Sequence, residues 1–323
     1  MRLGVAVLLA SFTACAGAAS DDEDPTDRAS PTTRGAAAAA RGIVANNAFF
    51  YYADVDAATR FYTGTLGLEI AADYGFAKIL RIGATSYLTL VDAERGMHSA
   101  DEPKTVALAL VTDQLDAWWE YVDELGLPLR SGYEPEEGSP HHGFVVIDPE
   151  GYYLEFERFN PHPENERFTP LLDAAPTLRV GGRAGEAPGD LGFKATVLWL
   201  YYRDIPGMRR FYENELGLDM IVDQGLAKIY PTSRTGFIGL VDETRGMHSY
   251  TEDKAVTLSF LTDDLDAWFE HARAGAFELR SDSIETGNPR YRAFVGYDPE
   301  GYFVEFDTFL DHFDNQALLE AIE

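Results

Sequence analysis

The chain has 323 residues, 46% of them hydrophobic, with 54 acidic against 26 basic residues and a formal charge of −28. Phosphate binding needs clustered Lys and Arg, so this balance argues against a nucleic-acid partner; the acidity reads as a solvated surface that keeps the protein in solution. The single cysteine excludes an internal disulfide.

Met1 to Ala14 carries one basic residue, an apolar run from Leu3 to Ala10 and then small residues, the pattern of a secretory signal and too short for a membrane span. Phe12-Thr13-Ala14-Cys15 resembles the lipobox of bacterial lipoproteins, in which the cysteine becomes the lipidated first residue of the mature chain; the alternative is plain cleavage near Ala18 or Ala19. Residues 1–19 are therefore expected to be a signal and the protein to be exported. A lipid on Cys15 would make it an envelope lipoprotein with the lipid as its only membrane contact, and cleavage would leave it periplasmic or secreted. Residues 20–42 mix acidic residues, Ser, Thr, Pro and an alanine run, which bury too little apolar surface to order themselves and read as a tether.

Asn47 to Ala53 then reads as an aromatic-rich strand, with Asn47, Phe49 and Tyr51 on one face. Asp54 or Asp56 caps a helix through Leu66 that Gly67 stops, and three short strands follow near 69–74, 77–82 and 87–92. After a loop the order restarts: a strand at 105–112, a helix from Leu115 to Glu124 closed by Gly126, and strands near 129–131, 143–148 and 152–158. The last of these leaves the turn Asp148-Pro149-Glu150-Gly151, where Pro fixes φ and Gly relieves crowding. Tyr153, Glu155 and Glu157 share one face of it and Tyr152, Leu154 and Phe156 the other.

Everything from Asn47 onward returns 150 residues later without an insertion. Asp148-Pro149-Glu150-Gly151 becomes Asp298-Pro299-Glu300-Gly301, and Arg95-Gly96-Met97-His98-Ser99 becomes Arg245-Gly246-Met247-His248-Ser249. A period this long is a whole domain rather than a solenoid unit. The expected organisation is a first domain at 43–160, a linker at 161–192, a second domain at 193–310 and a tail at 311–323 that holds a short helix near Gln316.

The ordered set of strand, Asp, Phe-Tyr, Leu-Gly-Leu, Asp-Pro-Glu-Gly and a closing strand with Glu, present twice, resembles the vicinal oxygen chelate superfamily of glyoxalase I, bleomycin- and fosfomycin-resistance proteins and extradiol dioxygenases. The resemblance implies an α+β fold: two tandem glyoxalase-like domains, each of two βαβββ modules forming a cupped mixed sheet with helices outside and a divalent metal inside, the cup being formed within each domain or by modules exchanged between them. Carried over by position, the terminal glutamate ligand falls on Glu155 and Glu305, while the first-strand ligand falls on Asn47 and Val197 and its counterpart in the second module on Val106 and Val256. Valine cannot coordinate, so the usual metal is not expected unless loops supply ligands.

The family pattern turns Phe49, Tyr51, Leu108, Leu110 and Tyr153 toward the cup with Glu155, and Trp199, Tyr201, Leu258, Phe260 and Phe303 with Glu305. These stripes are either pocket walls or packed core. His98 and His248, in loops that border the cups, approach their glutamates as ligands or acid/base partners, or else simply bond their own turns. His141 and His142 face opposite ways on a strand, which argues against a metal pair. Three functions fit: capture of a small, largely apolar molecule without the usual metal; a divalent-metal-dependent lyase, isomerase or dioxygenase using Glu155, Glu305, His98 or His248; or a non-catalytic envelope interaction domain.

Overall fold

The computed structural model describes residues 42–180 and 187–322. The signal, Cys15 and the tether up to residue 41 lie outside the described residues.

Four βαβββ modules follow one another. The first comprises β1 (Ile43–Tyr52), α1 (Val55–Arg60), β2 (Glu69–Asp73), β3 (Ala77–Gly83) and β4 (Ser86–Asp92). The second comprises β5 (Val106–Val111), α2 (Leu115–Leu125), β6 (Leu129–Ser131), β7 (His141–Ile147) and β8 (Tyr153–Phe159). Between the repeats lie α3 (Thr169–Ala174) and a small ladder of β9 (Leu178–Arg179) with β10 (Gly192–Phe193). The third module has β11 (Ala195–Tyr202), α4 (Ile205–Arg210), β12 (Val222–Asp223), β13 (Ala227–Pro231) and β14 (Gly236–Asp242). The fourth has β15 (Val256–Thr262), α5 (Leu265–His271), β16 (Glu278–Leu279), β17 (Tyr291–Tyr297) and β18 (Phe303–Phe309), and α6 (Gln316–Ile322) closes the chain.

Local chemistry accounts for the element ends. Asp54 accepts a hydrogen bond from Ala57 N–H at 2.8 Å and so caps α1, and Gly126 ends α2 in the left-handed region at φ 63°. β1 begins at Ile43 rather than Asn47 because its first residues pair with the far end of β15, Ile43 opposite Thr262 and Ala45 opposite Leu261.

The sheets ignore the repeat boundary. One eight-stranded sheet runs β16-β17-β18-β15-β1-β4-β3-β2, and the other runs β12-β13-β14-β11-β5-β8-β7-β6. The first cup therefore combines modules one and four and the second combines modules two and three, each joined by an antiparallel pair of first strands. At the pseudo-twofold between them, Thr85 N–H donates to Thr235 Oγ1 at 2.8 Å and Thr235 N–H donates to Thr85 Oγ1 at 3.0 Å.

The Asp-Pro-Glu-Gly turns hold the exchanged modules together. Asp148 accepts from the backbone N–H groups of Glu150 and Tyr152, both at 2.9 Å, and from the hydroxyls of Tyr52 and Tyr62 at 2.7 and 3.0 Å. Glu150 accepts from the N–H groups of Ala53 and Asp54. The Tyr152 hydroxyl takes the Tyr51 N–H and donates to Ala255 O at 2.6 Å, reaching into the other repeat; Tyr302 does the same with Tyr201 N–H and Thr105 O. One apolar core drawn from all four modules fills the helix side of both sheets, with Trp118 and Trp268 at its centre, and separate clusters line the two concave faces.

Candidate functional site

In the first cup, neighbouring strands set Tyr87, Asn47, Ser259, Glu305 and Val295 in one row across the sheet. Parallel and antiparallel partners project to the same face. Asn47 Nδ2 donates to Thr89 Oγ1 at 2.7 Å, leaving its Oδ1 buried without a partner. Glu305 is 7% exposed, and Asp307, two residues on and hence on the same face, accepts from Ser259 Oγ at 2.6 Å. Burial, and then the neighbouring Asp307, pushes Glu305 well above the usual carboxylate range; burial raises Asp307 as well, against the hydrogen bonds from Glu305 and Ser259.

Above this floor opens a cavity of about 790 Å³. Its walls are Phe49, Tyr51, Tyr74, Phe76, Tyr291 and Phe309, and Arg95, Arg280 and Glu285 stand among its lining residues. Tyr51 is fixed by a 2.7 Å bond between its hydroxyl and Thr257 Oγ1.

The second cup has the same scaffold with different contents. Its row reads Phe237, Val197, Ala109, Glu155 and Val145. Trp199 lies over Gly239, where any Cβ would overlap the indole, and Phe168, carried on the segment after β8, packs edge-on against Phe159 and Phe237. With Leu172, Ile221, Ile229 and Val241 these residues form a buried apolar cluster. Glu155 is left half-buried beside Glu157, which is buried and pairs with His141 Nδ1 at 2.9 Å. Burial and Glu157 raise the Glu155 carboxyl above its usual range, opposed by His141 and by Trp199. Burial alone would depress His141, but Glu157 and Glu155 outweigh it and push the imidazole up to about 9.

The sequence-derived site residues thus divide. Phe49 and Tyr51 line the cavity and Asn47 lies beyond its lining, in the cross-strand row of Ser259 and Glu305, whereas Val197, Trp199 and Tyr201 belong to the packed second cup, with Tyr153 against it. Leu108, Leu110, Leu258 and Phe260 are corrections: they face the helix-side core, as do Val106 and Val256. The residues that share the cup face with the glutamates are Ala107 and Ala109 in β5 and Thr257 and Ser259 in β15, because Ala109 pairs with Glu155 and Ser259 with Glu305. Phe303 packs against His98 at 4.2 Å between ring centres.

His98 bonds Glu102 at 2.7 Å and sits behind the Tyr51 ring, and burial depresses its pKa. His248 stacks on Tyr153 and packs edge-on to Tyr201, and burial pushes it down to about 4. Both serve as packing elements of their loops. His142 bonds the Glu136 carbonyl at 2.7 Å. Asp307, Glu285, Arg280 and Tyr291 escaped the sequence reading; only Asp307 carried a signal, its two-residue offset from Glu305.

Metal fit can be judged on these donors. Among the described residues no three His, Cys, Asp or Glu side chains converge on a common point. The second cup offers valine and alanine where donors would be needed, and its His141 imidazole is engaged by Glu157. The first cup offers oxygens only, with its carboxyls bonded to each other and to Ser259. Neither set fits a nitrogen- and oxygen-ligated catalytic metal.

Among curated proteins, none matches the chain in sequence. Solved structures resemble it at 14 to 15% identity, which shows the fold alone. A putative dioxygenase from Bacillus subtilis aligns with a TM-score of 0.58 at 15% identity over 88% of this chain and 90% of its own. Glyoxalase I from Zea mays aligns with a TM-score of 0.55 at 15% identity over 87% of this chain and 95% of its own. A V278E mutant of the maize protein aligns at 0.55 and 15% identity over 91% and 100%. The model of the Glyoxalase/Bleomycin resistance protein/Dioxygenase superfamily matches residues 45–156 and again 194–306, so the chain belongs to that superfamily, with two copies of its domain in tandem.

Proposed function

We propose that this protein is an exported binder that captures one small, largely apolar molecule in its first cup. The observation that carries the reading is the aromatic-walled cavity of about 790 Å³, within the roughly 300–1,000 Å³ of small-molecule sites, with a few polar groups gathered on its floor. Capture without turnover accords with the donor set, which fits no nitrogen- and oxygen-ligated catalytic metal. Export rests on the signal at residues 1–19, and anchoring rests on Cys15.

The second cup suggests the test. Phe49→Trp with Thr89→Gly copies the Trp199 and Gly239 pair into the first cup and should fill it without unfolding the protein. Small-molecule thermal-shift screening should find ligands for the natural protein that the double variant no longer binds. Hits that persist in the double variant would show that the site lies elsewhere. Loss of palmitate labelling in Cys15→Ala would establish the anchor.

A metal-dependent lyase, isomerase or dioxygenase is the second reading, favoured by the unpartnered Asn47 Oδ1 beside Ser259 and Glu305. Metal analysis after purification without chelators or metal resins decides it: stoichiometric metal that disappears in Glu305→Gln supports the enzyme and overturns capture alone.

A further inference from the structure

We infer that the molecule taken by the first cup is an organic cation, an ammonium group on an apolar or aromatic body. This rests on the capture reading and narrows it.

The duplication supplies an internal control. Each cup places two carboxyl groups on one face of its last strand, Glu155 with Glu157 and Glu305 with Asp307. The second cup provides its own cation for them: His141, on the adjacent strand, pairs with Glu157 at 2.9 Å. One period later the corresponding residue is Tyr291, which lines the cavity and carries no positive charge. The first cup therefore keeps the carboxyl pair and lacks the cation that answers it in the second.

The rim arginines do not explain the difference. Arg280 bears on Glu305, but its guanidinium lies over the Phe303 ring at 5.5 Å, and the second cup has Arg130 at the same position. Arg95 lies over Phe76 at 4.2 Å. Glu285 adds a third carboxylate to the lining.

Two further observations point to a ligand with donors. Asn47, 1% exposed and on the cavity face of β1, has its amide nitrogen engaged by Thr89 and its Oδ1 left without a donor. The walls, moreover, include six aromatic rings, whose faces attract cations, whereas the rings of the second cup are buried against one another. An ammonium group would donate to the carboxyls while its apolar body rests against the rings.

Calorimetry with the full chain tests this with three probes of one shape: 2-phenylethylammonium, 2-phenylethanol and phenylacetate. The ammonium should bind tighter than the alcohol by roughly tenfold, the scale of one charge-assisted hydrogen bond, with phenylacetate weakest. Glu305→Gln with Asp307→Asn, which keeps side-chain shape, should bring the ratio of ammonium to alcohol near one. Tyr291→His, which gives the first cup the second cup's imidazole, should do the same, and circular dichroism reports whether either variant folds. Equal binding of alcohol and ammonium to the natural protein overturns the inference while capture stands, as does preference for phenylacetate. If neither the probes nor neutral Nile red enter the cup, capture fails and this inference falls with it.

Discussion

Asp148 and Asp298 are acids whose work is structural. Each is buried in the turn before a closing strand, where it gathers backbone and tyrosine donors. Removing the acceptor strands those donors. Asp148→Ala is expected to cost about 3 kcal/mol of unfolding free energy in urea, and Asp148→Asn less, since the amide keeps one acceptor. His141 makes a separate prediction. Its pKa is raised to about 9 from an ordinary 6.5, so its contribution is fully present below about 6.5 and is lost as pH rises through about 9. Its side chain is 41% exposed, and solvent screening holds the contribution to about 1 kcal/mol. Melting temperature should fall between pH 7 and roughly 9.5 in the natural protein, and His141→Gln should flatten that fall.

At the scale of elements, the second cup is held shut by a large ring placed over a missing side chain. Trp199→Ala should cost about 3–5 kcal/mol and give a neutral dye such as Nile red entry to that cup. Gly239→Val should displace the indole and lower the melting temperature without creating a site. The elements also mark where sequence reading stops. Helices, caps, turns and the closing strands with their glutamates were legible, because alternation and turn residues are local signals. The facing of β5 was not: the strand is buried on both sides and Val106 to Val111 reads as one apolar run with no polar face to set the parity, whereas β15 did carry the signal, in Thr257 and Ser259 alternating with Leu258 and Phe260. Leu108 and, against that signal, Leu258 were assigned to the cups when Ala109 and Ser259 belong there. Asp307 was missed because Glu305 alone matched the family pattern.

For the whole molecule, the decisive fact is that each sheet borrows a module from the other repeat. Composition and periodicity are indifferent to this arrangement, since modules paired within a repeat would bury the same faces. The symmetry predicts the behaviour of half the chain. Residues 42–180 alone would leave β1 without β15 and β5 without β11, and the repeat makes β5 the counterpart of β15. Two copies satisfy both edges by pairing β1 of each with β5 of the other, so the fragment should elute as a dimer in light-scattering chromatography. A folded, monodisperse monomer would show that the modules close within one repeat.

Exchange of modules also separates ancestry from architecture. When a gene doubles, specialisation is usually pictured as one daughter copy drifting while its twin keeps the trade. Here neither twin owns a chamber. The filled chamber took Trp199 and Gly239 from the later copy and Phe168 and His141 from the earlier one, and the open chamber took Phe49 and Asn47 from the earlier and Glu305 and Tyr291 from the later. The two halves of this polypeptide have had to diverge as a pair.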